Sequence, residues 1–269
     1  MIGWRMHFVA VLCALFLAGC ASKQTPEDYK PARGQAGKDV IWLPTAQTLV
    51  DRMLDMAKVS AGDHLVDLGS GDGRLVITAA KRGARAHGIE FNPDLVALSR
   101  RTARAEGVAD RATFEQADIF ESDFSKATVV TLFLLPELNL KLRSTLLAMK
   151  PGTRVVSNSF SMEGWQPDQM AEVREGCVGH CNAFLWTVPA RVHGRWRMGD
   201  RELVLEQSYQ MLEGTLRGGG SESPVQAGRL EGDAIVFTTG GRRHAGRVSG
   251  DTMSGTVEAG AGWTATRIR

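Results

Sequence analysis

The sequence predicts an α/β fold followed by a smaller all-β unit: a Rossmann-like, mostly parallel sheet over residues 41–190, then an antiparallel, β-barrel-like domain over residues 191–269. Three observations carry this expectation. A buried-strand pattern runs into a glycine turn and then a helix at residues 64–80, and strand and helix patterns alternate from there to about residue 190. Beyond that point about half of the chain's 30 glycines punctuate short alternating segments, the pattern of successive hairpins. The 269 residues suffice for a sizeable core, and 43% apolar with 23% charged residues excludes a disordered or fibrous chain. Aromatics make up 7%, with two Tyr, and the net charge is +2. That composition offers neither a stacking platform nor a polyanion clamp, so no nucleic-acid partner is expected.

In chain order, Arg5 and His7 precede an unbroken apolar run from Phe8 to Ala18, eleven residues. This is too short for a membrane span, which takes about 20, and fits a secretory signal. It ends in Leu17-Ala18-Gly19-Cys20, which resembles the bacterial lipobox. The resemblance implies that residues 1–19 are removed and that Cys20 carries a lipid anchor to a bacterial membrane, with residues 20–40 as anchor and tether. No Asp follows Cys20, which implies the outer membrane of the cell envelope and a periplasm-facing protein; the chain is cytoplasmic if the signal is not used. Residues 21–40 are polar, with Pro26, Pro31, Gly34 and Gly37.

Pro44-Thr45 opens an amphipathic helix with Leu49, Met53, Met56 and Ala57 on one face and Thr45 as its expected N-cap. His64 to Leu68 reads as a buried strand entering Gly69-Ser70-Gly71-Asp72-Gly73-Arg74 and a helix through Leu75 to Ala80. Such a turn presents backbone N–H groups and a helix N-terminus to a ligand with no side chains in the way. A dinucleotide fingerprint needs a sixth-position Gly where Arg74 stands, which argues against a nicotinamide oxidoreductase. Asp67 and Asp72 flank the turn instead, suiting a ligand with an ammonium group and ribose hydroxyls. Ala86 to Glu90 is a short strand ending in a carboxylate about where an acid takes ribose hydroxyls in such folds. Asn92-Pro93 starts a further helix. Strands follow at Ala112 to Gln116, leading to Asp118; at Thr128 to Leu134, leading to Leu135-Pro136-Glu137; at Thr153 to Asn158; and at Ala183 to Val188.

The run Asp67-Leu68-Gly69-Ser70-Gly71-Asp72-Gly73-Arg74, with Glu90 and Asp118 in that order and spacing, resembles the motifs of class I S-adenosylmethionine-dependent methyltransferases. Together with Trp42-Leu43-Pro44-Thr45 it is similar to small bacterial relatives of the mitochondrial protein-lysine methyltransferases, over about residues 41–190. The resemblance implies a seven-stranded sheet, S-adenosyl-L-methionine as cofactor, and an amine acceptor such as a protein lysine. It further implies that Pro44, Thr45, Gly69, Ser70, Gly71 and Gly73 belong to the cofactor site. Asp67 and Gly69 would border the methionine part, Glu90 would hold the ribose, Asp118 the adenine amino group with Ile119 on the ring, and Leu134, Leu135 and Pro136 would face the transferred methyl.

Methyl transfer from a sulfonium needs alignment and exclusion of water rather than a nucleophilic side chain. Glu137 and Asn139 are the nearest polar candidates for orienting an acceptor amine, and no metal is expected. Cys177 and Cys181, flanking Val178-Gly179-His180, are compatible with a disulfide, free thiols or a Cys-His-Cys metal site. In the β tail, Gly228-Arg229-Leu230-Glu231-Gly232-Asp233 recurs as Gly246-Arg247-Val248-Ser249-Gly250-Asp251, and six or seven strands are expected, with Leu203, Leu205, Gln207 and Tyr209 on one face of the second. The competing expectation is a non-catalytic nucleotide-binding envelope lipoprotein, a sensor or scaffold, since the donor is made in the cytoplasm and the lipobox sends the chain out.

Overall fold

The computed structural model describes residues 29–258 and 260–269; the lipobox and Cys20 lie outside the described residues. Helix α1 (Gln47–Met56) leads into β1 (His64–Leu68), α2 (Arg74–Lys81), β2 (Arg85–Glu90), α3 (Pro93–Ala105), β3 (Ala112–Gln116), β4 (Val129–Leu132), α4 (Pro136–Leu147), β5 (Arg154–Asn158), β6 (Gln169–Glu172) and β7 (Asn182–Thr187). The strands form one seven-stranded sheet of order β3-β2-β1-β4-β5-β7-β6, with β1 to β5 parallel and β7 antiparallel to both β5 and β6.

Both faces of the sheet are covered, so its central strands are apolar at successive residues. Leu65 and Val129 pack on one side with α1, α2 and α3, while Val66 and Val130 pack on the other with Leu142 and Leu146 of α4 and with Trp165 and Trp186. Two of the expected local details differ. Ala46, not Thr45, precedes the first turn of α1, and no side chain among the described residues caps it; Thr45 instead takes a hydrogen bond on its hydroxyl from Asn158 and on its carbonyl from Arg74. Strand β6 carries no apolar alternation, because its residues are exposed or half-buried, and so left no sequence signal.

The remainder is a closed antiparallel barrel of eight strands: β8 (Gly194–Met198), β9 (Arg201–Ser208), β10 (Met211–Gly218), β11 (Ser221–Glu231), β12 (Ala234–Thr239), β13 (Arg242–Ser249), β14 (Thr252–Val257) and β15 (Gly262–Arg267), closed by β15 against β8. Closure removes the exposed edges an open sheet would carry. Trp196, Leu203, Leu205, Phe237, Met253 and Trp263 fill the interior. The two hexapeptide repeats each end at a hairpin turn, at Gly232 and Gly250, and their Asp residues pair with Arg247 and Arg267 respectively. Gly246 faces Gly255 across β13 and β14 because a Cβ on Gly255 would lie 1.9 Å from the Ala245 carbonyl oxygen. Tyr209 departs from the expected barrel face: it stands in the β9–β10 turn and stacks on Trp165, centroids 6.1 Å apart.

That stack belongs to a seam that ties the barrel to the α/β unit. Asp168 accepts hydrogen bonds from the Thr187 amide at 2.7 Å, from Gln210 at 3.3 Å and from Arg229 at 2.6 Å, and its side chain is only 10% exposed. Removing a largely buried, paired carboxylate leaves its partners unsatisfied, at a cost of about 2–3 kcal/mol. Asp168→Ala is therefore expected to lower the melting temperature by roughly 5–10 °C. A shift under about 2 °C in a thermal melt would show the seam to be energetically idle.

Candidate active site

The site forms at the carboxyl ends of the parallel strands, where open α/β sheets bind ligands. Three glycines shape the turn beneath it: Gly69, Gly71 and Gly73 all have positive φ, at 79°, 55° and 80°. Added side chains would collide, since a Cβ on Gly71 would come within 2.8 Å of the Trp42 indole nitrogen. Gly73, expected at the cofactor, lies behind the turn. A Cβ there would sit 2.7 Å from both Phe114 and the Ser99 hydroxyl, so this glycine serves the approach of α2 to the sheet. Arg74, itself at the cleft, holds the turn by bridging both oxygens of Asp72 and the Thr45 carbonyl, and so fixes the Pro44-Thr45 segment beside the glycines.

The carboxylates converge on this turn. Glu90, ending β2, accepts from the Gly71 amide at 2.9 Å through Oε2 and from the Asn92 amide at 2.8 Å through Oε1. Asp67 is buried, takes a 2.7 Å hydrogen bond from the Thr131 hydroxyl, and has its pKa raised to about 7. Burial is the main cause; the Thr131 bond opposes it, and the nearby negative charges of Glu90 and Asp72 add to it. Asp118 follows β3, accepts the Phe120 amide at 2.9 Å, and is paired with Lys38. That pairing, foremost, holds the Asp118 carboxyl below and the Lys38 ammonium above their ordinary ranges.

Pro44, Thr45, Asp67, Gly69, Ser70, Gly71, Glu90, Asp118, Ile119 and Leu134 thus line one cleft, with about 1020 Å³ of free space including its open mouth. The residues fit a ligand of adenosine and amino-acid type. They supply acids at three stations and apolar walls from Ile119, Leu134 and Leu138, and the buried Ser70 hydroxyl at the turn has no hydrogen-bond partner among the described residues. Residues 35–40, expected as tether, are part of the wall: the Trp42 amide donates to the Gln35 carbonyl and the Trp42 carbonyl accepts from the Gly34 amide, which folds a strap over the cleft, and Lys38 fastens it to Asp118. A polar segment with Pro and Gly reads as linker when its partner lies 80 residues away.

The two candidates for orienting an acceptor are not brought to the cleft. Glu137 is exposed in the first turn of α4. Asn139 is fully buried, and its amide donates to the Ser157 hydroxyl at 3.2 Å and to the carbonyls of Phe160 at 3.1 Å and Ser161 at 3.4 Å. It therefore fixes the chain after β5. Cys177 and Cys181 are joined in a disulfide, which leaves neither thiol free and no thiolate for a metal.

This sheet order and glycine-turn cleft define a class I methyltransferase fold. A model of the ANTKMT methyltransferase domain matches residues 67–169. The chain is 43% identical over 152 residues to a protein-lysine N-methyltransferase of Saccharolobus islandicus, covering 55% of this chain and 94% of that protein. It is 38% identical over 129 residues to the adenine nucleotide translocase lysine N-methyltransferase of Mus musculus, a match that takes in 47% of this chain and only about half, 55%, of that protein's length. Among solved structures it is similar to an RNA methyltransferase from Salinibacter ruber in complex with S-adenosyl-L-homocysteine, with 48% identity, a TM-score of 0.52, and coverage of 56% of this chain and 96% of that one. The chain belongs to the class I S-adenosylmethionine-dependent methyltransferases. S-adenosylmethionine is its cofactor, and the non-catalytic alternative is not favoured.

Proposed function

We propose that the chain N-methylates the side-chain amine of a lysine in a protein. The observation that carries this is its similarity to the Saccharolobus protein-lysine N-methyltransferase along nearly that protein's whole length. When bound, S-adenosylmethionine supplies a methyl on a sulfonium sulfur, which keeps the C–S bonding pair as an amine lone pair takes the methyl. This chain's residues bind and align. Asp67 and Gly69 border the amino-acid end, Glu90 accepts from the ribose hydroxyls, and Ile119 packs on the adenine. Asp118 receives the adenine amino group with the lone pairs that Lys38 and Phe120 leave free. Leu134, 4% exposed and 3.2 Å from where a Gly69 Cβ would stand, is the apolar wall that keeps water from the methyl. Glu137 and Asn139 have no direct part in this reading.

We propose in addition that Cys20 anchors the chain by lipid in the bacterial envelope, facing the periplasm. The lipobox-like sequence and the Cys177–Cys181 disulfide, a bond favoured in oxidising compartments, support this. One experiment tests both. The full chain is recovered from cell membranes, with Cys20→Ser expected in the soluble fraction, and incubated with tritiated S-adenosylmethionine, envelope proteins and total RNA. The expected label is protease-sensitive and is recovered as methyl-lysine after hydrolysis. Nuclease-sensitive label would favour an RNA acceptor, as in the name of the Salinibacter relative, and absence of label would revive a non-catalytic role.

A further inference from the structure

Continuous with the cofactor cleft lies a second pocket that shares strap residues 36–41 and Leu43, Phe133 and Leu134 with it and is completed by Leu135, Phe160 and His180. Its three rings come from three different places in the chain that the sheet brings to one edge. Phe133 follows β4, Phe160 follows β5, and His180 precedes β7, the strand antiparallel to β5. Their centroids are 6.3 Å apart for Phe133 and Phe160, 5.3 Å for Phe133 and His180, and 5.8 Å for Phe160 and His180. None of the three is buried in the core, and Leu135 beside them is 42% exposed, so the cluster is open.

We propose that Phe133, Phe160 and His180 form the aromatic wall of the methyltransferase's acceptor subsite, a channel for an alkylamine side chain, with His180 set in place by the Cys177–Cys181 disulfide. The chemistry of the lining matches such a side chain at both ends. Aliphatic walls from Leu43, Leu134 and Leu135 cover a four-carbon stem, and ring faces attract its nitrogen while it carries a positive charge. Asp39, on the strap, is an acid among the pocket's described lining residues and lies 3.8 Å from the Lys38 ammonium, whose shorter contact is with Asp118. The channel meets the cofactor cleft at Leu134, the residue read above as facing the methyl.

Phe160 and His180 are each held by something the cofactor cleft does not need. The buried Asn139 amide bonds the Phe160 carbonyl. His180 has φ +56°, a left-handed conformation disfavoured for a residue with a Cβ, and it follows Gly179 at φ +67°. Such a conformation persists where the surroundings over-determine it. Here the disulfide closes the loop from Cys177 to Cys181, and the Cys181 carbonyl takes the Val173 amide at 2.9 Å, pinning the loop to the end of β6. The disulfide is thus a positioning element that acts through His180, outside the cofactor's own contacts.

The inference rests on the amine-acceptor reading, and a binding experiment separates the two. The compound is an S-adenosylhomocysteine analogue in which nitrogen replaces sulfur and carries a butylaminoethyl arm, placing a secondary amine and a four-carbon stem where an acceptor would lie. Its Kd and that of S-adenosylhomocysteine are measured by calorimetry on the full chain. The wild type is expected to favour the analogue by about tenfold or more, the scale of a desolvated cation over aromatic faces. Phe160→Leu and His180→Ala are expected to reduce that ratio at least threefold, His180→Phe to preserve it, and Cys177→Ser/Cys181→Ser to reduce it as His180→Ala does. A ratio near one in the wild type, or an undiminished ratio in both single variants, overturns the subsite. An undiminished ratio in the double cysteine variant overturns the role of the disulfide. Methyl-lysine formed by a wild type that shows no preference would place the acceptor elsewhere and leave the proposed function standing.

Discussion

Glu90→Ala is expected to weaken S-adenosylhomocysteine binding at least about a hundredfold, the largest effect of any single change at the cleft. Glu90 has two tasks at once. Its oxygens accept the Gly71 and Asn92 amides, which locks the glycine turn at the positive φ values the cofactor's approach requires. The remaining lone pairs face the cleft, where the ribose hydroxyls are proposed to donate. Charge-assisted hydrogen bonds contribute about 1.5–3 kcal/mol each, and tenfold in affinity is 1.4 kcal/mol, so losing the ligand bonds and loosening the turn together reach the stated factor. Glu115, exposed on neighbouring β3, provides the control: Glu115→Ala changes the charge by the same amount and is expected to shift Kd less than threefold. Calorimetry on both variants decides it. A Glu90→Ala affinity within fivefold of wild type would remove Glu90 from the ligand.

What could be read in the sequence and what could not divides by how local the cause is. The glycine turn was legible because its constraint is written into adjacent residues: a strand, a backbone that must take positive φ, and a helix start. The hairpins of the β tail were legible for the same reason, through Gly232-Asp233 and Gly250-Asp251. A barrel-like curl was legible in the same glycines, but not which strands close it, since nothing in β8 or β15 alone says that Arg267 pairs with Trp196. Asn139 misled because a polar residue just after Pro136 resembles a surface position, while its amide turns inward to satisfy carbonyls some 20 residues on. Lys38 and the strap were missed because their only signal is a long-range contact with Asp118. The pocket of Phe133, Phe160 and His180 is of the same kind: three unremarkable residues in sequence become one feature only when β4, β5 and β7 lie side by side.

Cofactor affinity is expected to depend on pH through Asp67. Its carboxyl, raised to about 7 chiefly by burial, is largely protonated at pH 6 in the ligand-free protein and largely ionised at pH 8. A ligand bearing an ammonium or sulfonium charge prefers the ionised form, so binding draws the pKa down and expels a proton wherever the free protein holds one. The affinity therefore falls as pH drops below about 7, by up to tenfold per pH unit, and levels off above it. The same shift has the opposite consequence for the free protein. A folded-state pKa above the ordinary Asp value means that the native state keeps a proton the unfolded chain has lost. Asp67 thus makes the ligand-free protein less stable as pH rises from about 4 to about 7. Asp67→Asn removes the carboxyl while keeping the shape, and it should flatten both dependences while weakening binding at pH 8. Titrations with S-adenosylmethionine from pH 5.5 to 8.5, in buffers of different ionisation enthalpy, count the released protons directly. A wild-type Kd that does not change below pH 7, or a variant that keeps the wild-type slope, would show that Asp67 does not sense the ligand's charge.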